Sequence, residues 1–266
     1  MKHFIGIDIG STTIKIVLVD ESGEMIDKIG SPTGSMFNKN AMDSLDRLLK
    51  SNQLDKEDIS YTVSTGYGRK LFKASNENIN ELTANAKGAR NCLGENKKVK
   101  TIINVGGQDT KVIILDDNGK MTNFFMNDKC AAGTGRFLDI SARNLEVEVD
   151  QLEILHFEAK DTPLPINSIC AVFAESEIIS LLAAGHQSSE IASGIHYSIA
   201  KRIVRLAGRG RVEDVVLFDG GTALNKGMVD ALENELMRPV YVNLFPQFTT
   251  AYGAALIALE RHVDNN

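Results

Sequence analysis

Cysteine, proline and long apolar runs are all scarce in this sequence. It contains three cysteines and five prolines in 266 residues, too few cysteines for a structural disulfide framework. A membrane-spanning helix needs about 18 consecutive apolar residues, and no apolar run in the sequence approaches that length. The opening MKHFIGIDIG carries an aspartate inside its apolar stretch, which is unlike a signal peptide. The expected location is therefore the cytoplasm.

An excess of positive charge is missing as well. The net charge of −6 and the pI near 5.5 argue against nucleic acid or a membrane surface as a partner. The hydrophobic content of 43% and charged content of 24% are those of an ordinary globular protein. The length allows one large domain or two small domains, each with its own core.

An internal repeat gives the first positive clue. IDIGSTTIKIVLVDESG (7–23) and INVGGQDTKVIILDDNG (103–119) align without gaps at an offset of 96, matching Gly10 with Gly106 and Lys15 with Lys111. Each segment is expected to form two strands joined by a glycine-containing turn, whose backbone N–H groups can bind phosphate. The repeat predicts a duplicated fold whose halves face each other across a cleft. Two unrelated hairpins are the alternative.

The remaining sequence alternates between strand and helix patterns. Buried strands are expected in YTVSTGY and VVLFDGG, and a further strand in VYVNL. Helices are expected in NAMDSLDRLLKSN, with Asn40 as a possible cap, and in ASGIHYSIAKRIVRLAGRG and TTAYGAALIALERHV. The predicted fold class is therefore α/β with hairpins, and not a simple parallel doubly wound sheet.

Three features suit a phosphate-bearing ligand. Asp8 lies just before the first glycine turn, where its carboxylate could hold Mg²⁺ through water. The turn GGQD (106–109) offers a second phosphate-binding loop. FDGGTALNKG (218–227) ends a strand with two glycines and opens a helix, so a nucleoside could lie against bare backbone there. Each glycine pair alone could be only a turn, so their order and spacing carry the prediction.

With these segments in this order, the sequence resembles the actin-like ATPase superfamily, which includes sugar kinases and heat-shock chaperones. The resemblance implies two duplicated actin-like (ribonuclease H-like) domains with a nucleotide cleft between them. The first domain would comprise residues 1–95 and a C-terminal helix at about 248–266. The second domain would comprise residues 96–247.

The same resemblance implies a set of nucleotide contacts. DIGSTTIK is similar to the first phosphate loop, NVGGQD to the second and DGGTALNKG to the adenosine loop. The implied ATP or ADP contacts in these loops are Gly10, Ser11, Thr12, Thr13, Lys15, Gly106, Gly107, Gly220, Gly221, Thr222 and Asn225.

Asn104 departs from the superfamily pattern, in which the second loop usually opens with an aspartate. An amide cannot act as a base at neutral pH, which weakens a phosphotransferase interpretation. Asp8, Gln108 and Asp109 are the candidate catalytic residues, because Gln108 or Asp109 could still orient a water.

Two cysteines stand at predicted helix starts. Cys130 lies in MNDKCAAGTGRFLD (126–139), and Cys170 lies in INSICAVFAESEIISLLAAG (166–185). A cysteine in this position is either a buried small hydrophobe or a thiolate favoured by the helix dipole.

These two motifs, together with GIDIGST, TGYGR, GGQD, DGG and GAALIA, make the chain very similar to a narrower group. The group contains the ATP-dependent activators of 2-hydroxyacyl-CoA dehydratases and their relatives serving benzoyl-CoA reductases and double-cubane cluster proteins. In that family each subunit of a homodimer supplies two cysteines to one 4Fe–4S cluster, so the implied metal ligands are Cys130 and Cys170. Four thiolates hold such a cluster and a symmetric pair of chains provides them, whereas Cys92 is expected to be a buried filler.

The resemblance also implies a function and partners. A reduced ferredoxin or flavodoxin would supply the electron, and an iron–sulfur dehydratase or reductase would accept it in a step driven by ATP and Mg²⁺. Gly133, Thr134 and Gly135 would approach the phosphates beside Cys130, and Glu175 could contact the nucleotide. The alternatives are a small-molecule kinase of the same superfamily and a nucleotide-dependent binding module or chaperone, but both leave the paired cysteines unexplained.

Overall fold

The computed structural model describes residues 2–90, 92–94, 97–127, 130–160, 162–166, 170–208 and 211–264. The chain divides into two compact units. The first unit comprises residues 1–99, 116–121 and 247–266, and the second comprises residues 100–115 and 122–246. Within the described part of the chain, no helix is both long and apolar enough to cross a membrane.

The first unit is a mixed sheet in the order β3-β2-β1-β4-β5 with helices on both faces. Its strands are β1 (His3–Ile9), β2 (Thr13–Val19), β3 (Met25–Pro32), β4 (Ile59–Thr65) and β5 (Glu77–Asn78), and its helices are α1 (Phe37–Ser51), α2 (Glu81–Ala89) and the C-terminal α8 (Thr249–Asp264).

The central strands of this unit are apolar along almost their whole length because alternate side chains meet different helices. Ile5 and Ile7 belong to the core that α1 covers, whereas Phe4 and Val17 belong to the core beneath α2 and α8. A strand that is buried on both faces needs a continuous apolar run. Small residues such as Gly253 bring α2 and α8 so close that an added Cβ would overlap backbone atoms.

The second unit repeats this sheet in the order β10-β9-β6-β7-β8. Its strands are β6 (Thr101–Val105), β7 (Thr110–Leu115), β8 (Met121–Asn127), β9 (Val216–Asp219) and β10 (Val240–Tyr241), and its helices are α3 (Gly135–Asn144), α4 (Gln151–Glu158), α5 (Ala171–Ala183), α6 (Ser188–Ala207) and α7 (Lys226–Leu236). Helix α6 is the most buried of these helices, and its apolar side chains join the core beneath β6, β7 and β9.

The duplication extends to the turns after the second strand of each hairpin. Asp20 accepts hydrogen bonds from the backbone N–H groups two and four residues later, at 2.8 and 3.0 Å. Asp116 does the same at 2.9 and 2.8 Å. Gly23 and Gly119 close these turns with φ of +84° and +72°, which glycine adopts without strain. The predicted duplicated α/β fold is confirmed.

One predicted detail is wrong. Asn40 is not the cap of α1, because the helix begins at Phe37. The Asn40 amide instead donates a hydrogen bond to the Thr33 carbonyl oxygen at 2.7 Å. The side chain therefore ties the end of β3 to the first turn of the helix.

Candidate functional site

The first predicted phosphate loop lies where β1 turns into β2. The Gly10 N–H donates to the Thr13 carbonyl oxygen at 3.0 Å and closes the turn. Asp8 and Lys15 face each other across the hairpin, with Nζ 3.5 Å from Oδ2. The Asp8 carboxylate is almost buried, so this lysine offsets part of the cost of burying it. The turn residues are at least partly exposed: Gly10, Ser11, Thr12 and Thr13.

The second predicted phosphate loop has the same turn. The Gly106 N–H donates to the Asp109 carbonyl oxygen at 2.9 Å, and Gln108 is exposed at the tip. Lys111, the counterpart of Lys15, forms an ion pair with Asp109 at 2.8 Å. The Asp109 carboxylate is therefore held against the loop, and Gln108 is the more accessible of the two predicted water-orienting side chains.

A carboxylate that the sequence did not single out stands beside this loop. Asp219, the last residue of β9, lies opposite Asn104 in the parallel pair of β6 and β9. The Asn104 Nδ2 donates to Asp219 Oδ1 at 2.7 Å. Asp219 is fully buried, whereas Asn104 is partly exposed. The opening residue of the second loop thus carries an amide that is bound to a carboxylate.

The predicted adenosine loop follows β9 directly. Gly220 has φ of +91°, and a Cβ added there would overlap the backbone of Val105. The Thr222 hydroxyl donates to the Val105 carbonyl oxygen at 3.2 Å. Asn225 caps α7 by accepting from the Met228 N–H at 3.0 Å. Gly221, which begins the short 3-10 turn Gly221–Leu224, is exposed.

The three predicted nucleotide-binding segments of the second unit meet at Gly135. Its N–H donates to the Gly106 carbonyl oxygen at 2.9 Å, and the Arg136 N–H donates to the Gly107 carbonyl oxygen at 3.0 Å. A Cβ added to Gly135 would lie 3.4 Å from Cγ2 of Thr222. The first turn of α3 therefore rests on the second predicted phosphate loop and touches the predicted adenosine loop.

Cys130 lies four residues before Thr134 on this same segment. It caps the 3-10 turn Ala131–Gly133, and Thr134 then caps α3. The buried Thr134 hydroxyl donates to the Ala131 carbonyl oxygen at 2.9 Å. The Thr110 hydroxyl of β7 donates to the Gly133 carbonyl oxygen. The segment between Cys130 and α3 is thus attached to the β6–β7 hairpin at several points.

Arg202 of α6 is a further residue that the sequence analysis missed. Its Nη2 donates to Sγ of Cys130 at 3.1 Å. Its stem lies against Gly133, where an added Cβ would come within 2.9 Å of Cδ. A cavity of about 500 Å³ opens beside this contact, lined by Thr110, Met126, Asn127, Gly133, Arg202, Ile203, Arg205 and Leu206.

Cys170 caps α5 in extended backbone conformation, and its carbonyl oxygen accepts from the Ala174 N–H at 3.0 Å. Glu175 is half-buried one turn further on. Large apolar side chains follow the cysteine on the exposed surface, with Val172 and Phe173 exposed by 67% and 62%. Neighbouring exposed apolar side chains of this kind are one feature of surfaces that another protein covers.

All three cysteines lie within the described residues and are thiols. Cys130 and Cys170 belong to the second unit, whereas Cys92 belongs to the first. Among the described residues, no group of three or more His, Cys, Asp or Glu side chains could hold a metal ion.

Comparisons with known proteins agree with the motifs. The model of the BadF/BadG/BcrA/BcrD ATPase family matches residues 5–258. The activator of lactoyl-CoA dehydratase from Anaerotignum propionicum is 45% identical over 260 residues, which are 97% of this chain and 98% of that protein. The (R)-2-hydroxyglutaryl-CoA dehydratase activating ATPase from Acidaminococcus fermentans is 43% identical over 262 residues, with 97% and 98% coverage.

A solved structure shows the same fold. The activator of the 2-hydroxyisocaproyl-CoA dehydratase from Clostridium difficile with bound ADPNP matches with a TM-score of 0.91 at 39% identity, covering 99% of this chain and 96% of that chain. The predicted resemblance and the predicted ATPase class are confirmed. The chain belongs to the BadF/BadG/BcrA/BcrD ATPase family.

Proposed function

We propose that this ATPase is an activator of an iron–sulfur enzyme of the 2-hydroxyacyl-CoA dehydratase type, to which it donates single electrons in a step driven by ATP hydrolysis. Relatives that align over nearly the whole chain are named as activators of such dehydratases. The observation that carries the proposal is the attachment of the Cys130 segment to the second phosphate loop through Gly135 and Arg136. One short stretch of chain thereby connects Cys130 to the proposed phosphate site.

ATP and ADP are the proposed nucleotides, since a structural relative binds ADPNP. In the second unit the phosphates would lie at the loop 106–109 and the residues 133–135, with the nucleoside at 220–222. In the first unit the loop 10–13 and Lys15 are the proposed phosphate contacts. Glu175 and Asn225 remain predicted nucleotide contacts.

Asp8 would hold Mg²⁺ through water. Its carboxylate supplies the oxygen ligands that Mg²⁺ prefers, and it is almost buried beside Lys15 of the same hairpin. Gln108 would orient the attacking water from the exposed tip of its loop. Asp109 would keep that loop in shape through its ion pair with Lys111.

Cys130 and Cys170 are the proposed ligands of one 4Fe–4S cluster per homodimer. Both are thiols, and each stands directly before a helical turn. Arg202 already donates a hydrogen bond to Sγ of Cys130, as donors do around cluster thiolates. When bound, such a cluster supplies one-electron chemistry at a potential that its charge, hydrogen bonds and exposure determine.

A second copy of this chain is the proposed source of the other two thiolates. A two-fold axis repeats each residue, so Cys130 and Cys170 from two chains make a set of four. The exposed Val172 and Phe173 beside Cys170, and Phe124 on the strand that leads to Cys130, would be covered in such a dimer. A reduced ferredoxin or flavodoxin is the proposed electron source.

The residues of this chain would couple the nucleotide to the cysteine by direct contact. Loss of the γ-phosphate would let the loop 106–109 relax. The Gly106 and Gly107 carbonyl oxygens hold the first turn of α3, so the turn would move with them. Cys130, five residues before that turn, would change its environment as a result.

Iron content tests the ligand assignment. Anaerobically purified Cys130→Ala and Cys170→Ala proteins should lose their iron and acid-labile sulfide while still binding ATP, because neither side chain belongs to the phosphate loops. Cys92→Ala is the matched control and should keep its iron. Full iron content in either of the first two variants would refute the assignment.

A further inference from the structure

Each of the two units carries an acidic side chain at the same end of its sheet, but the two side chains lie on different strands. In the first unit the end of β1 carries Asp8, and Thr65 of β4 lies opposite. In the second unit the end of β6 carries Asn104, and Asp219 of β9 lies opposite. In the second unit the carboxylate therefore lies on the neighbouring parallel strand, and not on the first strand of the hairpin.

The glycines that follow show that these positions are equivalent. Gly66 comes directly after Thr65 and has φ of +85°, and Gly220 comes directly after Asp219 and has φ of +91°. A Cβ added to Gly66 would lie 2.7 Å from the Ile9 carbonyl oxygen. A Cβ added to Gly220 would overlap the equivalent residue Val105. Both glycines therefore let their loop lie directly on the end of the first hairpin strand.

The chemistry of the Asn104–Asp219 hydrogen bond fixes the orientation of the amide. The Asn104 Nδ2 donates to Asp219 Oδ1 at 2.7 Å, so the NH₂ group of the amide points to Asp219. The amide oxygen is then left as an acceptor for another partner. A hydrogen bond to a charged acceptor is stronger than a neutral one and polarises the amide, which makes that oxygen a better acceptor.

We propose that Asp219 is a positioning residue for ATP hydrolysis, which holds and polarises Asn104 so that the amide oxygen orients the attacking water or a water of the bound Mg²⁺. This inference rests on the proposed placement of the phosphates at the loop 106–109. Asp219 is fully buried and acts through Asn104, which is partly exposed at the start of that loop.

Neither Asn104 nor Asp219 acts as a base in this step. The water oxygen forms a bond to the γ-phosphorus, and the bond from that phosphorus to the bridging oxygen of ADP breaks. One water proton stays on the released phosphate and the other passes to solvent. The Asn104 amide remains neutral throughout, and Asp219 takes no part in the proton transfer.

Exchanging the two side chains tests the pair. Mg²⁺-dependent ATP hydrolysis is measured for Asp219→Asn, Asn104→Asp and the double variant N104D/D219N of the full-length protein. Asp219→Asn keeps the shape but removes the charge, so we expect kcat to fall by about tenfold to a hundredfold with the KM for ATP little changed. The double variant restores one carboxylate to the pair, and we expect it to recover kcat to within about threefold of the wild type.

The Asn104→Asp variant supplies a second, independent signature. Two carboxylates at this separation share one proton, so the pair titrates with a raised apparent pKa. We expect a new pH dependence of kcat in this variant, which disappears again in the double variant. Asp46→Asn, an exposed ion-pair residue of α1, controls for the loss of one charge, and thermal unfolding checks that each variant is folded.

A wild-type kcat for Asp219→Asn would overturn the inference. A double variant that is folded yet no faster than Asp219→Asn would overturn it as well, because the pair would then be needed only for structure. Hydrolysis is measured without a redox partner, so the result does not depend on the proposed electron transfer.

Discussion

Arg202 is the single residue whose contacts bear most directly on the proposed iron–sulfur site. Its guanidinium donates to Sγ of Cys130, and its stem packs on Gly133. It therefore connects α6 to both the cysteine and the glycine segment that rests on the phosphate loop. A positive charge and a hydrogen bond beside a thiolate both stabilise the more negative, reduced form of a cluster.

Replacing this arginine should lower the reduction potential of the proposed iron–sulfur centre. For Arg202→Met we expect the ratio of reduced to oxidised centre, at the same solution potential, to fall by about tenfold. This corresponds to a reduction potential lower by about 59 mV for a one-electron couple. Anaerobic redox titration followed by electron paramagnetic resonance measures it. Arg205→Met, an exposed arginine that lines the same cavity, is the matched control. An unchanged potential in Arg202→Met would show that the contact does not tune the centre.

Single residues also show where sequence reasoning reaches its limit. The local motifs pointed to Cys130, Cys170 and the two glycine turns, because each motif is contiguous in the chain. Asp219 and Arg202 were missed because their hydrogen-bond partners lie 115 and 72 positions away in the sequence. The FDGG motif did contain Asp219, but only the strand register pairs it with Asn104.

At the scale of elements, helices α4, α6 and α7 are joined by a hydrogen-bonded chain of polar side chains. His156 Nε2 lies 3.0 Å from Asp230 Oδ2, and His156 Nδ1 lies 3.0 Å from Nδ1 of the fully buried His196. The carboxylate can only accept, so His156 donates to it and receives a hydrogen bond from His196. Burial, with a smaller contribution from His156, lowers the pKa of His196 from 6.5 to about 3.

This lowered pKa makes the protein less stable as the pH falls. Between pH 6.5 and about 3 the unfolded chain binds a proton at His196 and the folded chain does not, so protonation favours unfolding. Well above pH 6.5 the imidazole is neutral in both states, so it does not lower the free energy of unfolding. We expect protonation of His196 in the unfolded chain to lower the free energy of unfolding by about 2 kcal/mol between pH 7 and pH 5. Urea unfolding at both pH values should show a smaller difference for His196→Gln than for the wild type. The partly exposed His186→Gln is the control, and equal pH dependence in all three proteins would refute this explanation.

Elements also show how much of the fold could be predicted. Hairpin strands and the amphipathic α6 and α8 follow from periodicity, and the offset of 96 gave the duplication of the hairpins. The equivalence of β4 with β9 did not emerge, because their sequences share little more than the following glycine. The sheet order and the contacts of the glycine after each strand show it. The start of α1 was misplaced because the Asn40 side chain bonds to the preceding strand instead of capping the helix.

At the scale of the whole molecule, the exposed apolar side chains beside Cys170 predict self-association. Phe173→Asp places a charge where a second copy would bury it, which is unfavourable, so we expect the dimer to weaken by at least about tenfold. Sedimentation velocity measures the association. Val263→Asp, a similarly exposed apolar residue of α8, should leave the dimer intact. A Phe173→Asp protein that associates as tightly as the wild type would place the interface elsewhere.

In the proposed function, the nucleotide controls an electron held between two copies of this chain. The reduction potential of the anaerobically purified protein, measured with ADP and again with ADPNP, tests this claim. We expect about four irons per dimer and a lower potential with ADPNP, because the phosphate loop is attached to the Cys130 segment. An iron-free protein, or an iron–sulfur centre with the same potential in both nucleotide states, would contradict the claim.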